Sequence, residues 1–147
     1  MKVVLSRGSP STIPLRGTAP LPTKQSSVGR KGARFAGYAA LFDCVDRGGD
    51  VVRAGAFARA VRKESVPLLL EHRTPIGRVE MLAEDARGLR VIARTARPVA
   101  AGMGLSFGYR VRTSRGAGPR ELLDLELVEV SLVKVPMQPG ARVIAVE

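Results

Sequence analysis

The chain has 147 residues and a mass of 15.7 kDa, is 45% apolar and 25% charged, and lacks Trp; this fits one domain and excludes a large multidomain enzyme. With one cysteine (Cys44) and one histidine (His72), it has no internal disulfide, no metal site built on several Cys or His, and no two-histidine catalytic arrangement, so no cofactor is expected. No apolar run approaches the roughly 20 residues of a membrane helix, and Met1–Ser6 is too short for a secretory signal, so a reducing cytoplasm and no membrane contact are expected.

The net charge of +11 is unevenly spread. Residues 1–34 hold seven Lys or Arg and no Asp or Glu, together with four Pro, four Gly and five Ser. Such a stretch buries too little apolar surface to offset its ordering entropy. Residues 1–33 therefore read as a flexible basic arm, either a solvated tail or a contact for nucleic acid or an acidic protein surface. The rest, residues 34–147, reads as one β-rich domain.

Phe35–Phe42 has the pattern of a strand with a glycine at one close approach, and Asp43–Asp50 has turn chemistry in Asp46, Gly48, Gly49 and Asp50. Gly55–Lys63 places Phe57, Ala60, Val61 and Glu64 at helical spacing, which predicts a short amphipathic helix. Val66–His72 reads as a buried strand. Ile76–Leu82 and Leu89–Thr95 read as two strands of a hairpin joined through residues 84–88. Gly104–Thr113 alternates, Arg115–Pro119 is a loop, and Glu121–Val135 is long and β-prone. The expected fold is mainly β (α+β): a small closed β-barrel of six or seven strands with one or two short flanking helices.

Three residues carry chemistry beyond this pattern. Ser106 lies on the strand face of Gly104, Gly108, Arg110 and Arg112, opposite the apolar stripe of Leu105, Phe107, Tyr109 and Val111. Flanking glycines leave open backbone that an extended peptide could approach, or they merely accommodate a bend or a neighbouring strand. His72 ends the apolar face of Leu68 and Leu70, with Glu71 directed the other way, and is the chain's sole imidazole for proton transfer near neutral pH. Glu129 and Ser131 interrupt the odd-numbered face running from Leu123 to Val135. A buried Glu129 needs a partner, whereas a bulge near Leu127 would swap the faces and leave it in solvent.

In order along the chain come Phe35-Ala-Gly-Tyr-Ala, Asp46-Arg-Gly-Gly-Asp-Val-Val-Arg-Ala-Gly-Ala-Phe, Leu68-Leu-Leu-Glu-His72 with Ile76-Gly77, Gly104-Leu-Ser106-Phe-Gly-Tyr, and Leu127-Val-Glu129-Val-Ser-Leu-Val. This succession, over residues 34–145, resembles the prohead (capsid maturation) serine proteases of tailed bacteriophages, found also in prophages and gene transfer particles. Their fold is similar to that of herpesvirus assemblin. The resemblance implies that Ser106 is the nucleophile, His72 the general base and Glu129 the third member. It also implies the major capsid protein and scaffold as substrates, the portal or a second copy as further partners, and a place inside procapsids in the host cytoplasm. The developing oxyanion needs two preorganised donors, which the sequence does not identify; backbone amides beside Gly108 or in the 115–119 loop are candidates. The chain departs from the family pattern at residues 96–103, where members carry a longer stretch with a helix. That shortening bears on the substrate groove or a dimer contact. Two other functions compete: a basic nucleic-acid-binding barrel, weakened by its few free rings, and an inactive homologue serving as an assembly or scaffold factor.

Overall fold

The structure, a computed structural model, describes residues 3–4 and 32–147. The basic arm expected over residues 1–33 lies outside the described residues apart from Val3–Val4 and the last two positions. Nine strands are described: β1 (Val3–Val4), β2 (Ala33–Leu41), β3 (Asp50–Val52), β4 (Val66–Leu70), β5 (Thr74–Glu84), β6 (Gly88–Thr95), β7 (Gly104–Arg115), β8 (Arg120–Val133) and β9 (Val143–Val146). They form one mixed sheet in the order β1-β7-β8-β4-β5-β6-β2-β9, with β3 pairing β8. Most neighbours are antiparallel; β3 and β4 run parallel to β8.

The expected β-rich domain and the β5–β6 hairpin are present, but two features of the expected fold are corrected. First, the sheet is a curled half-barrel, not a closed barrel. No ladder joins β2 to β7; residues 138–142 lie in the gap instead. Tyr38 N–H donates to Arg142 O (3.2 Å) and Leu105 N–H to Ala141 O (2.9 Å), while the Gln138 side chain bonds both the N–H and the carbonyl of Leu41 at 2.7 and 2.9 Å. Pro136 and Pro139 lack a backbone donor, which keeps this connection from becoming a ladder strand. Gly37 in β2 is the close approach: a Cβ there would lie 2.4 Å from Arg142 O and 2.8 Å from a Leu105 methyl.

Second, there is no α-helix among the described residues, and so none long and apolar enough to cross a membrane. The segment read as helical forms turns and one 3-10 turn, Ala60–Arg62. Gly55 is left-handed (φ +94°), and the Glu84 carboxylate accepts from the N–H groups of Gly55 (2.8 Å) and Phe57 (2.7 Å). These bonds hold the segment against β5, and nine residues are too few for a helix to persist without packing. The apolar part of the reading survives, since Phe57 and Ala60 are buried.

The core fills the concave side of the sheet. It includes Phe35, Phe57, Leu68, Leu89, Val91, Leu105, Phe107, Leu125, Leu127, Val130 and Leu132. Phe57 sits between Phe42 and Phe107, with centroids 6.4 and 5.3 Å away, and Phe107 meets Tyr109 at 4.8 Å. Phe57→Ala should therefore cost about 3–5 kcal/mol, because the rings around it cannot collapse into the void. Ile144→Ser, at a half-exposed position of β9, should change stability by less than about 0.5 kcal/mol. Urea denaturation midpoints of the two variants test this contrast.

Candidate active site

The central pair is β7 and β8. Phe107 faces Val130, Gly108 faces Glu129 and Tyr109 faces Leu127, so Val128 is an extra residue on β8. This bulge resets the alternation, and the core positions of β8 become Leu122, Leu125, Leu127, Val130 and Leu132. Glu129 and Ser131 turn to the opposite face, as a bulge near Leu127 requires. They do not reach solvent: Glu129 is 3% exposed and Ser131 fully buried.

Burial there follows from the end of β4. The strand stops at Leu70, two residues before the sequence suggests, and Glu71 (φ 51°) and His72 (φ 62°) both take left-handed backbone. For residues with side chains this conformation is strained, by about 1–3 kcal/mol each. It is held by Glu71 N–H to Leu132 O (2.9 Å) and Arg73 N–H to Leu70 O (3.0 Å). His72 therefore leaves the Leu68–Leu70 face on which alternation puts it and folds over β8.

Three hydrogen bonds join the pieces. His72 Nδ1 lies 2.7 Å from Glu129 Oε2, both side chains being about 5% exposed or less. Ser131 Oγ donates to Glu129 Oε1 (2.6 Å) and accepts from the His72 backbone N–H (3.2 Å). With Nδ1–H donated to the carboxylate, the imidazole keeps Nε2 for another partner, and that atom is buried and unbonded among the described residues.

Ser106 lies directly opposite Ser131 in the β7–β8 ladder, so their side chains share one side of the sheet. It is 3% exposed, and its hydroxyl makes no hydrogen bond among the described residues. His72 and Glu129 are thus in contact, and Ser106 is the cross-strand neighbour of the residue that touches both, without itself bonding to His72. The open backbone expected beside Ser106 is closed at one end: a Cβ on Gly104 would meet Val133 O at 2.7 Å and the Pro136 ring at 2.9 Å. A small cleft of about 10 Å³ borders Ser106 between Phe107, Tyr109, Asp46 and Gln138; neither His72 nor Glu129 lines it. The 115–119 loop is too distant to supply oxyanion donors, since Arg115 lies nine residues along extended β7 from Ser106, roughly 30 Å.

Two residues of this cluster are not among the expected catalytic residues. Ser131 fixes both the carboxylate and the histidine backbone; its signal is the i, i+2 spacing from Glu129, which puts both on one strand face. Glu71 is buried, with Oε2 accepting the Lys134 N–H (2.8 Å) and Oε1 unbonded. Burial raises its carboxyl above the usual range, opposed by the Lys134 hydrogen bond and the nearby His72 and Lys134. Alternation directs Glu71 away from the apolar face, and only the left-handed turn explains where it is buried.

These observations meet an independent comparison. The sequence profile of the Caudovirus prohead serine protease family matches residues 20–147, and the chain belongs to that family. The match begins within the stretch read as a basic arm. Over 73 residues the chain is 38% identical to the prohead protease of Enterobacteria phage HK97, an aligned stretch that is 46% of this chain and 32% of that relative. The chain thus spans about a third of that relative's length. Both matches are to tailed-phage proteins, and neither points to a gene transfer particle.

Ser131→Ala should destabilise the fold by about 1–3 kcal/mol, because Glu129 Oε1 and the His72 N–H lose a buried partner; urea denaturation measures the loss. Glu71→Gln keeps an acceptor for Lys134 and removes the charge. A carboxyl whose folded pKa lies above its unfolded value costs stability at higher pH, and the cost fades as pH falls through the folded pKa. At neutral pH the variant should therefore melt above the wild type. The gap should close as pH falls through the carboxyl's raised folded value and below the ordinary carboxylate range, as thermal melts across pH would record.

Proposed function

We propose that the protein is a serine endopeptidase that cleaves the scaffold or the major capsid protein within an immature procapsid, in the cytoplasm of the bacterial host. The observation that carries this reading is the buried Glu129–His72 hydrogen bond with the imidazole's other nitrogen unpartnered. Ser106 Oγ attacks the scissile carbonyl as His72 Nε2 takes its proton. The same nitrogen then returns the proton to the leaving amine, and water repeats the cycle on the acyl-enzyme. Glu129 holds the tautomer that leaves Nε2 free and stabilises the imidazolium that forms. Ser106 and His72 are not bonded, but such contacts are often loose without substrate and tighten in the Michaelis complex. Membership in a prohead protease family supports the capsid substrates, with the portal and a second copy of the chain as further partners of the same assembly.

The missing Ser106–His72 bond also favours a second reading, an inactive homologue that acts as an assembly or scaffold factor. A nucleic-acid-binding barrel is disfavoured: all six aromatic rings of the chain are buried, so none is free to stack on bases.

Co-expression with the capsid protein, intact-mass analysis of that protein's new amino terminus, and fluorophosphonate labelling separate these readings. The peptidase should be labelled at Ser106 and trim the capsid protein. His72→Ala should abolish both, and Glu129→Gln should slow labelling by about 10²–10⁴-fold. Absence of labelling and trimming in assembled particles would support the assembly factor.

A further inference from the structure

We propose that the convex face of β5, β6 and β2 is a docking surface for an acidic segment of polypeptide. Arg78 of β5 lies directly opposite Arg94 of β6, which lies directly opposite Arg34 of β2. The three alternate with the core residues Val79, Ala93 and Phe35, so their side chains stand on the side of the sheet away from the core. Like charges set directly across a ladder oppose folding. A bulge answers part of that repulsion: Glu80 is an extra residue between Val79 and Met81. Its carboxylate accepts from Arg34 Nε (2.8 Å) and Arg94 Nε (3.0 Å), with Arg78 at 4.0 Å. Glu147 comes within 3.5 Å of Arg34 at the rim. Two carboxylates thus face three guanidinium groups, and Arg78 remains 71% exposed. Residues 1–34 contain no Asp or Glu, so that part of the chain cannot supply the missing negative charge.

The neighbouring row on the same face selects the kind of ligand. Met81, Ile92, Ala36 and Ala145 lie opposite one another across β5, β6, β2 and β9. Ala36, Ile92 and Ala145 line a groove of about 190 Å³ edged by Arg34 and Glu147. A row of cations beside an apolar row suits a polypeptide that carries an acidic residue next to an apolar one. A phosphate backbone has nothing to place on the apolar row, and Glu80 repels it from the centre of the cationic one. The face also carries the polar cluster: Ser131 is paired with Leu69 of β4, and Pro67, on the same side of β4, is paired with Arg78. The arginine row therefore begins two strands from Ser131, roughly 10 Å across the sheet. Under the peptidase reading it grips the substrate away from the scissile bond; the docking itself does not depend on that reading.

The test is fluorescence anisotropy on the full chain carrying Ser106→Ala, so that binding is read without hydrolysis. The probe is a fluorescein-labelled Gly-Ser peptide with an Asp-Glu-Leu-Glu core. Arg78→Glu should weaken its binding about fivefold or more, and so should Ala145→Glu, which puts a carboxylate in the groove at an exposed position. Replacing the Leu of the probe by Ser should weaken binding as well. Arg62→Glu makes the same change in net charge as Arg78→Glu on the exposed 3-10 turn and should alter affinity less than about twofold. Absence of binding, or equal losses from Arg78→Glu and Arg62→Glu, would overturn the proposal. So would an oligothymidylate that binds more tightly than the peptide with the same sensitivity to Arg78→Glu. If the peptide binds as expected while the Ser106 chain is never labelled by fluorophosphonate, the docking surface stands and the peptidase reading falls.

Discussion

One extra residue in β8 organises the rest of the site. Without the bulge at Val128, strict alternation from Leu127 would drive Glu129 and Ser131 into the core among Phe107, Val130 and Leu132, where an ionised carboxylate has no partner. With it, the apolar residues keep the concave side and the two polar ones emerge together on the other. The bulge also preserves the pairing of Ser106 with Ser131, so it sets both which face carries the polar residues and which residues meet across the ladder.

The cluster on that face is costly to build. Two adjacent side-chain-bearing residues take left-handed backbone, a carboxylate is buried beside an imidazole, and Glu71 is buried with one oxygen unbonded. Strain and desolvation of this kind persist only where the surroundings over-determine them. Here the surroundings are the β4–β8 pairing, which fixes Leu70 against Leu132, and Ser131, which ties the histidine backbone to the carboxylate. The half-barrel serves the same end. Its seam is sealed by side-chain and loop hydrogen bonds rather than a ladder, which holds residues 138–142 between β2 and the start of β7.

Much of the fold is legible in the sequence. Alternation locates the β5–β6 hairpin and the core stripe of Leu105, Phe107 and Tyr109, and a glycine marks the tight crossing at Gly37. Two predictions fail for identifiable reasons. Helical spacing over residues 55–63 reflects burial of Phe57 and Ala60, but the Glu84 carboxylate takes the backbone donors and bends the segment into turns. Barrel closure is inferred from strand number alone, and number does not say whether the last edges meet; two prolines keep them apart.

What the sequence determined by itself was the short inventory of reactive groups: a sole imidazole, a serine between glycines, and a carboxylate set in an apolar strand. Residue type and alternation suffice for that, because each residue is unusual for its position. What only the tertiary structure decided was their meeting: Glu129 against His72, with Ser131 linking them beside Ser106. That outcome depends on a one-residue register shift and two left-handed residues. Both arise from long-range pairing of strands far apart in the chain, and a one-residue slip reverses every side chain after it.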